Sequence, residues 1–398
     1  YIAIAINANA IDLMKERKTD EAIAESTRLI REFKDNKELA CKARMNLAVL
    51  YERAKRIKDA VGTYETVVKT CKKQEDIAAE AQYVIGVIYE SQTRFKEAAD
   101  AFLKMEKFKK AEKAADAVIN AGLIREALGD NAGAIKAFQR YVKLYSKNDD
   151  APDVFFKIGL LMEKIGDKKT LTKAVKHYKT FAKRYGSRYV MKVEAYSRAG
   201  DILRRLDELA AVKKNAKLKE GQRAKKVYRN RKKATALFEL SLAEYPKAVQ
   251  QVAALRGEKK VAKAVTAKGY AAQSAYWLAD YIFQDFDDAR IKATRPSKLK
   301  DELIKKAELH QTAEKAFDGV LNMGSANWLA CAAYRNGRLY FDFAKELFDV
   351  PIPFGLSVEQ EDEYRAILEE MGAPIQEKAL ILLEAALKAA HQKGVYNR

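Results

Sequence analysis

The chain has 398 residues, with 75 Lys and Arg against 55 Asp and Glu, a net charge of +20, and only 6 Pro, 18 Gly, 3 Cys and 3 His. The histidines at 177, 310 and 391 and the cysteines at 41, 71 and 331 are too scattered for a local Cys/His zinc motif, whose ligands come in short paired spacings, and they exclude a disulfide-stapled fold. With 48% hydrophobic and 33% charged residues the chain has enough apolar material for extensive burial and too much for wholesale disorder, so a folded, soluble protein is expected.

Proline is far below its usual ~5% share, and Pro152, Pro296, Pro351, Pro353 and Pro374 fall in stretches that read as loops. The remainder is rich in Ala, Lys, Leu and Glu, which are helix formers. No uncharged apolar run reaches the ~18 residues of a membrane span; the longest uncharged window, 319–334, contains Gly, Asn and Ser. The chain opens on Tyr1 rather than Met and is read as an excerpt or a processed form, so a missing signal peptide is uninformative.

Along the chain, a small residue recurs in the middle of each predicted first helix: Ala10, Ala48, Gly86, Gly122, Gly159 and Gly200, at steps of 38, 38, 36, 37 and 41 residues. A large residue follows three positions later at Leu13, Tyr51, Tyr89, Met162 and Leu203, with Arg125 the exception. A second small residue, Ala22, Ala60, Ala98, Ala134 or Ala174, opens a second helix. Four residues beyond the last four of these stands an aromatic, Tyr64, Phe102, Phe138 or Tyr178, while Ser26 breaks the pattern in the first repeat. Ala or Gly lets two helices approach closely, and Tyr or Phe seals the joint to the next pair.

This pattern resembles the tetratricopeptide repeat, a helix-turn-helix of about 34 residues. The resemblance implies an all-α, right-handed solenoid of about eight helix pairs, non-catalytic and built to bind other proteins. Residues 1–185 read as five regular pairs. Residues 186–246 read as a sixth pair whose second helix is delayed by a basic insertion from Asp207 to about Arg231. Residues 247–398 read as two stretched pairs, with first helices around Ala279 and Ala332 and second helices near 298–322 and 374–393.

The last 45 or so residues, from the Pro-Ile-Pro segment at Pro351 through the Glu359–Glu363 run and Tyr364 to Pro374 and Glu377-Lys378-Ala379, are similar to the C-terminal block of long periplasmic tetratricopeptide proteins. Those proteins accompany bacterial envelope machines of the Ton/Tol or gliding-motility type. The resemblance implies a periplasmic protein whose partners are other members of an envelope complex; a cytoplasmic location is the alternative.

No catalytic constellation stands out. Asp149/Asp150 and Asp287/Asp288 read as solvated loop residues or helix caps, and His177 as an ordinary helix residue beside Tyr178. Cys41 and Cys71 read as buried free thiols rather than a bridge. No phosphate-binding glycine loop or Gly-x-Ser-x-Gly turn occurs. The expectation is therefore no cofactor, no metal and no small-molecule substrate.

Charge is more informative. Between Lys213 and Lys233 there are eleven basic residues, Lys213, Lys214, Lys217, Lys219, Arg223, Lys225, Lys226, Arg229, Arg231, Lys232 and Lys233, against Glu220 alone. This segment is the candidate polyanion-binding site, for an acidic protein segment, an anionic polymer or lipid. Only Tyr228 could stack a base, which argues against nucleic acid; a nucleic-acid-binding helical-repeat protein stays as the alternative function. Carried over from the family by position, the partner groove would be lined by Met45, Val49 and Glu52, by Tyr83, Val87 and Glu90, by Ile119, Leu123 and Glu126, and by Phe156, Leu160 and Glu163. These places lack the Lys/Asn set with which chaperone-binding relatives grip a C-terminal carboxylate.

Overall fold

The computed structural model describes residues 2–216 and 226–393, and no strand occurs among them. The fold is an all-α solenoid of helix pairs. Two compact units, Tyr1–Thr170 and Leu171–Arg398, divide the chain.

The first unit holds α1 (Ile2–Lys15), α2 (Thr19–Glu32), α3 (Lys37–Arg53), α4 (Ile57–Thr70), α5 (Glu75–Ser91), α6 (Phe95–Leu103), α7 (Ala114–Ala127), α8 (Asn131–Leu144) and α9 (Ala151–Ile165), with a 3-10 turn at Lys104–Phe108 after the short α6. Each helix packs on the next in the chain, and first helices also touch the first helices of neighbouring pairs, α3 on α5 and α5 on α7. This nearest-neighbour pattern is what a stacked repeat requires.

The repeat register is written into the backbone. Within the pairs the chain reverses through a left-handed residue at Arg17, Lys55, Thr93, Gly129 and Gly166, at steps matching those of the small residues. The residue following the turn is arginine twice. Arg56 stacks 4.7 Å from the Tyr51 ring centroid and pairs with Asp59 at 2.8 Å; Arg94 stacks 4.5 Å from Tyr89 and pairs with Glu97 at 3.0 Å. At these two turns the tyrosine three places beyond the crossing point thus also anchors the turn.

The crossings themselves are close. A Cβ on Gly86 would stand 2.5 Å from the Phe102 ring, and one on Gly200 would stand 2.6 Å from that of Phe238; Gly122 is blocked in the same way by Phe138. Ala48 lies in one buried cluster with Tyr64 and Val67. Gly159 is buried in α9. Phe102, Phe138 and Tyr64 are each almost wholly buried, so each contributes about 2–3 kcal/mol of apolar burial relative to exposure.

Cys41 and Cys71 correct the expectation of free thiols. They form a disulfide with a Cα separation of 5.9 Å, leaving Cys331 as the free cysteine. The bridge ties the start of α3 to the residue that ends α4.

The second unit holds α10 (Lys168–Arg184, which begins at the boundary), α11 (Tyr189–Asn215), α12 (Arg231–Ala253), α13 (Gly257–Asp288), α14 (Pro296–Asn322), α15 (Ala326–Phe348) and α16 (Val358–Lys393). Its helices are long, which stretches the repeat. Tyr276, Phe283, Phe286 and Phe317 form an aromatic core, with Trp277, Trp328 and Phe343 packed against it. His310 sits among Phe286, Tyr340 and Phe343, and burial pushes its pKa down to about 4, so the ring is neutral at pH 7.

Two prolines lie inside helices. Pro246 is in α12, and Pro374, read from sequence as a helix start, lies in the middle of α16. Packing on both sides overrides the break: Gly372 lies against Phe348, and Leu383 lies against Gly337 of α15. Pro374 is exposed, so water can satisfy the carbonyl it frees.

Lys306 is 1% exposed. Its ammonium donates to the carbonyls of Phe286 and Ala289 at 2.8 and 3.0 Å, at the C-terminal end of α13, and pairs with Glu346 at 3.2 Å. It satisfies carbonyls that have no intrahelical donor. Burial lowers its pKa, with Glu346 pulling the other way. Lys306→Met is expected to cost about 2–3 kcal/mol, because it leaves buried acceptors and part of a buried ion pair unmatched. A urea midpoint indistinguishable from wild type would contradict this role.

No described helix is long and apolar enough to cross a membrane. Among the described residues no group of three His, Cys, Asp or Glu is placed to hold a metal ion.

Candidate functional site

The first-helix positions of the first unit divide by exposure. Met45 and Val49 are half-buried against the Tyr64 cluster, and Glu52 accepts from the Tyr64 hydroxyl at 3.3 Å. Burial, then Glu52, raises the Tyr64 pKa. Tyr83 packs 5.6 Å from Phe102, and the Lys113 ammonium lies 4.8 Å from its ring centroid. Glu126 is held by Lys157 at 2.9 Å. Ile119, Leu160 and Glu163 are half-buried and Phe156 is buried. What lies open on these helices is Val87 at 39%, Leu123 at 42% and the carboxylate of Glu90. Val87 and Leu123 occupy equivalent places on α5 and α7, giving an apolar strip with an acidic edge.

A deeper cleft lies in the second unit. Its volume is about 360 Å³, and it is lined by the first helices α11, α13 and α15, with residues 226–228 and 231 at its rim. From α11, Arg204 stacks 3.7 Å from the Trp277 ring centroid and is held by Asp201 at 2.8 Å. From α15, Arg335 pairs with the buried Asp280 of α13 at 2.9 Å and lies over Phe283. Burial opposes the Arg335 charge, but Asp280 and Tyr276 outweigh it and its pKa lies above the ordinary value. Burial pushes Tyr281 up to about 12, so it is a neutral phenol. The Trp277 indole N–H is buried with no acceptor among the described residues. Each carboxylate is engaged: Asp207 by Asn230, Glu208 by Arg204, Asp280 by Arg335 and Asp287 by Lys226. Such groups shape a binding surface; none is left as a free general base.

The rim is a latch. Lys226 reaches Asp287 and Asp288, each at 2.9 Å, and the Tyr228 hydroxyl donates to Asp288 at 3.1 Å. The Asn230 backbone N–H and side-chain amide both donate to Asp207, at 2.8 and 2.9 Å. Arg231 forks onto Asp285 at 2.7 and 2.6 Å and donates to the Tyr281 carbonyl. Asp285, Asp287 and Asp288 crowd the C-terminal end of α13, where the helix dipole is already negative, so cations gather there. Burial lowers the Lys226 pKa, but Asp288 and Asp287 more than offset it and the net shift is upward. Asp287 and Asp288 are therefore helix-terminal anchors of the basic insertion, not loop residues.

Of the eleven candidate basic residues, Lys217, Lys219, Arg223 and Lys225 lie outside the described residues. Lys226 and Arg231 are spent on the latch, while Lys213, Lys214, Arg229, Lys232 and Lys233 are exposed. Removing both carboxylates with Asp287→Asn and Asp288→Asn is expected to speed amide exchange at Tyr228 and Arg229 by roughly threefold to tenfold, since partly exposed ion pairs are worth up to about 1 kcal/mol each. Unchanged exchange would mean that Asp207 and Asp285 seat the rim without the Lys226 and Tyr228 contacts.

Sequence reasoning missed three features. The latch had a signal, the acidic Asp285-Phe286-Asp287-Asp288 opposite in charge to the insertion. The bridge had another, Cys41 standing seven residues before Ala48 and Cys71 seven after Tyr64. The third is α10, whose 17 residues contain no acid.

Helix pairs crossing at a glycine or alanine against an aromatic, each pair stacked on the next, define a helical-repeat protein. Residues 7–76 and 116–148 match models of the tetratricopeptide repeat, so the chain carries tetratricopeptide repeats. A comparison with curated proteins finds no match. Among solved structures, MamA is 18% identical, with 55% of this chain and 98% of that one covered at a TM-score of 0.28. YrrB, described as a repeat protein with an unusual peptide-binding site, is 21% identical over 56% and 92% at 0.27. The TPR2AB domain of yeast Sti1, described as a pHSP90 complex, is 15% identical over 84% and 98% at 0.29. Overlaps this poor say nothing about what the present chain binds.

Proposed function

We propose that this protein is a non-catalytic scaffold that holds a segment of a partner protein along its first helices, within a multiprotein assembly of the bacterial cell envelope, of the energy-transducing or gliding-motility type. Tetratricopeptide repeats mediate protein–protein interactions, and the observation that carries the reading for this chain is the cleft walled by α11, α13 and α15. It offers aromatic faces and fixed charges on rigid helices, the combination that gives a binding surface both grip and register. The strip at Val87 and Leu123 extends the same logic to the first unit.

The compartment is argued from the Cys41–Cys71 bridge, because disulfides persist in oxidising spaces such as the periplasm and are rare in the cytosol. The similarity of the C-terminal block to periplasmic repeat proteins points the same way. The nucleic-acid alternative loses support where Lys226 and Arg231 are neutralised by aspartates.

Site-specific photo-crosslinking in cells tests the proposal. Crosslinkers at Val87, Leu123 and Tyr228 should capture a discrete partner, and crosslinkers at the exposed Leu240 and Val249 of α12 should not. Equal capture from both sets, or from α12 alone, would refute the groove assignment.

A further inference from the structure

Second helices of the repeat bury one face and show the other to solvent. Along α2, α4 and α6 the exposed face mixes signs, with pairs such as Arg28–Glu32. Helix α10 does not. Its sequence, KKTLTKAVKHYKTFAKR, has six lysines, one arginine and no carboxylate. Leu171, Ala174, Tyr178, Phe181 and Ala182 form its buried face, and Lys173, Lys176, Lys179 and Lys183 all lie on the opposite, exposed one. None of these four has an ion-pair partner among the described residues. At 100° per residue they fall within one arc of the helix surface, and they run about 15 Å along it at 1.5 Å per residue.

None of these four lysines is neutralised within the described residues, whereas two of the insertion's seven described cations, Lys226 and Arg231, are held by aspartates. Self-repulsion along one helix face is a standing cost that an external anion relieves.

The chemistry of the row narrows the anion. Its members are flexible point charges rather than planar forks, so they do not select a bidentate phosphate geometry. Of the α10 rings, Tyr178 and Phe181 are fully buried and His177 is half-buried, edge-on to Tyr178 at 6.5 Å, so no fully exposed ring stands beside the row to stack on a base. No large apolar side chain projects from the exposed face to insert into hydrocarbon. A straight, purely cationic face of this length matches a broad anionic surface that it touches without penetrating. In an oxidising compartment that surface is the headgroup layer of a lipid bilayer, and this last step rests on the compartment argued above.

We propose that α10 is an electrostatic docking face for an anionic lipid bilayer, holding the scaffold against the membrane while its first helices stay free for protein partners. The attraction is about fivefold in affinity per lysine near an anionic leaflet, and it fades beyond a Debye length, about 10 Å at 0.1 M salt and about 3 Å at 1 M.

Co-sedimentation of the full chain with vesicles of phosphatidylcholine, with and without phosphatidylglycerol, is the test. Wild type should bind only the anionic vesicles and release them near 1 M salt. Replacing the four by glutamate (Lys173→Glu, Lys176→Glu, Lys179→Glu, Lys183→Glu) should lower binding by roughly a hundredfold or more, with the helical circular dichroism and melting point kept. The four-arginine counterpart should bind like wild type, and Lys232→Glu with Lys233→Glu should change binding by less than the α10 set. Equal binding to both vesicle types, wild-type binding by the four-glutamate variant, or tighter salt-matched binding of duplex RNA than of anionic vesicles would overturn the proposal. The crosslinking pattern from Val87, Leu123 and Tyr228 is a separate readout, so the scaffold reading can fail or survive on its own.

Discussion

Gly122→Val is expected to destabilise the protein by about 2–3 kcal/mol, in the range for overpacking a well-filled core. The added carbons would enter the space held by the Phe138 ring, which is 1% exposed and cannot swing into solvent. Phe138→Ala should cost about 3–5 kcal/mol for the opposite reason, a cavity at the same joint. Combining Gly122→Ala with Phe138→Leu should cost less than the sum of the two, because the first fills space that the second vacates. The sign reverses where no neighbour stands. Gly62 in α4 and Gly319 in α14 have nothing within 4 Å of a built Cβ, so Gly62→Ala and Gly319→Ala should each stabilise by about 0.5–1 kcal/mol through the unfolded chain. Urea midpoints read by circular dichroism distinguish the two classes. If Gly122→Val melted with wild type, the crossing would not be the close contact that organises the repeat.

That joint is also why so much of the architecture could be read from the residues. A repeat reuses one packing solution, so Ala48, Gly86, Gly122 and Gly200 mark the close approaches, and Tyr64, Phe102, Phe138 and Phe238 mark the fillers, whatever else varies. Second-unit elements were legible where the same grammar held, as in α14 at 296–322. They were not where tertiary packing overruled a local signal: α12 and α16 run through Pro246 and Pro374. The candidate site was less legible. The family carry-over pointed to first helices of the first unit, several of whose residues pack inward, Phe156 and Met45 among them. The deeper cleft needs Arg204, Trp277 and Arg335 from three helices spread over more than 130 residues, and no local spacing announces such a meeting. Basic residues were weighed by density alone, which favoured the insertion. Density does not show which cations already have carboxylates, and there the insertion and α10 differ.

Reaction of the unfolded, unreduced protein with a thiol reagent is expected to find one thiol per chain, Cys331, and three after reduction. The pairing has a geometric reason. Cys41 lies seven residues before Ala48, and Cys71 seven after Tyr64. In an antiparallel helix pair that crosses at those two positions, residues displaced equally in opposite senses come level, two turns from the crossing. Both sulfurs are buried there, in the cluster that contains Ala48 and Tyr64. The bridge closes a sequence separation of 30 residues, worth about 3–4 kcal/mol in the chain-entropy account. Cys41→Ser with Cys71→Ser should lower the stability of the first unit by that order, and reductant should do the same to wild type but nothing to the variant. Three reactive thiols in protein taken from its native compartment would remove the bridge and with it the argument for an oxidising environment. The helix pairs and the α13 latch would stand, because neither depends on sulfur chemistry. The choice of lipid over nucleic acid for the α10 face would then have to be made by the vesicle and RNA arms alone.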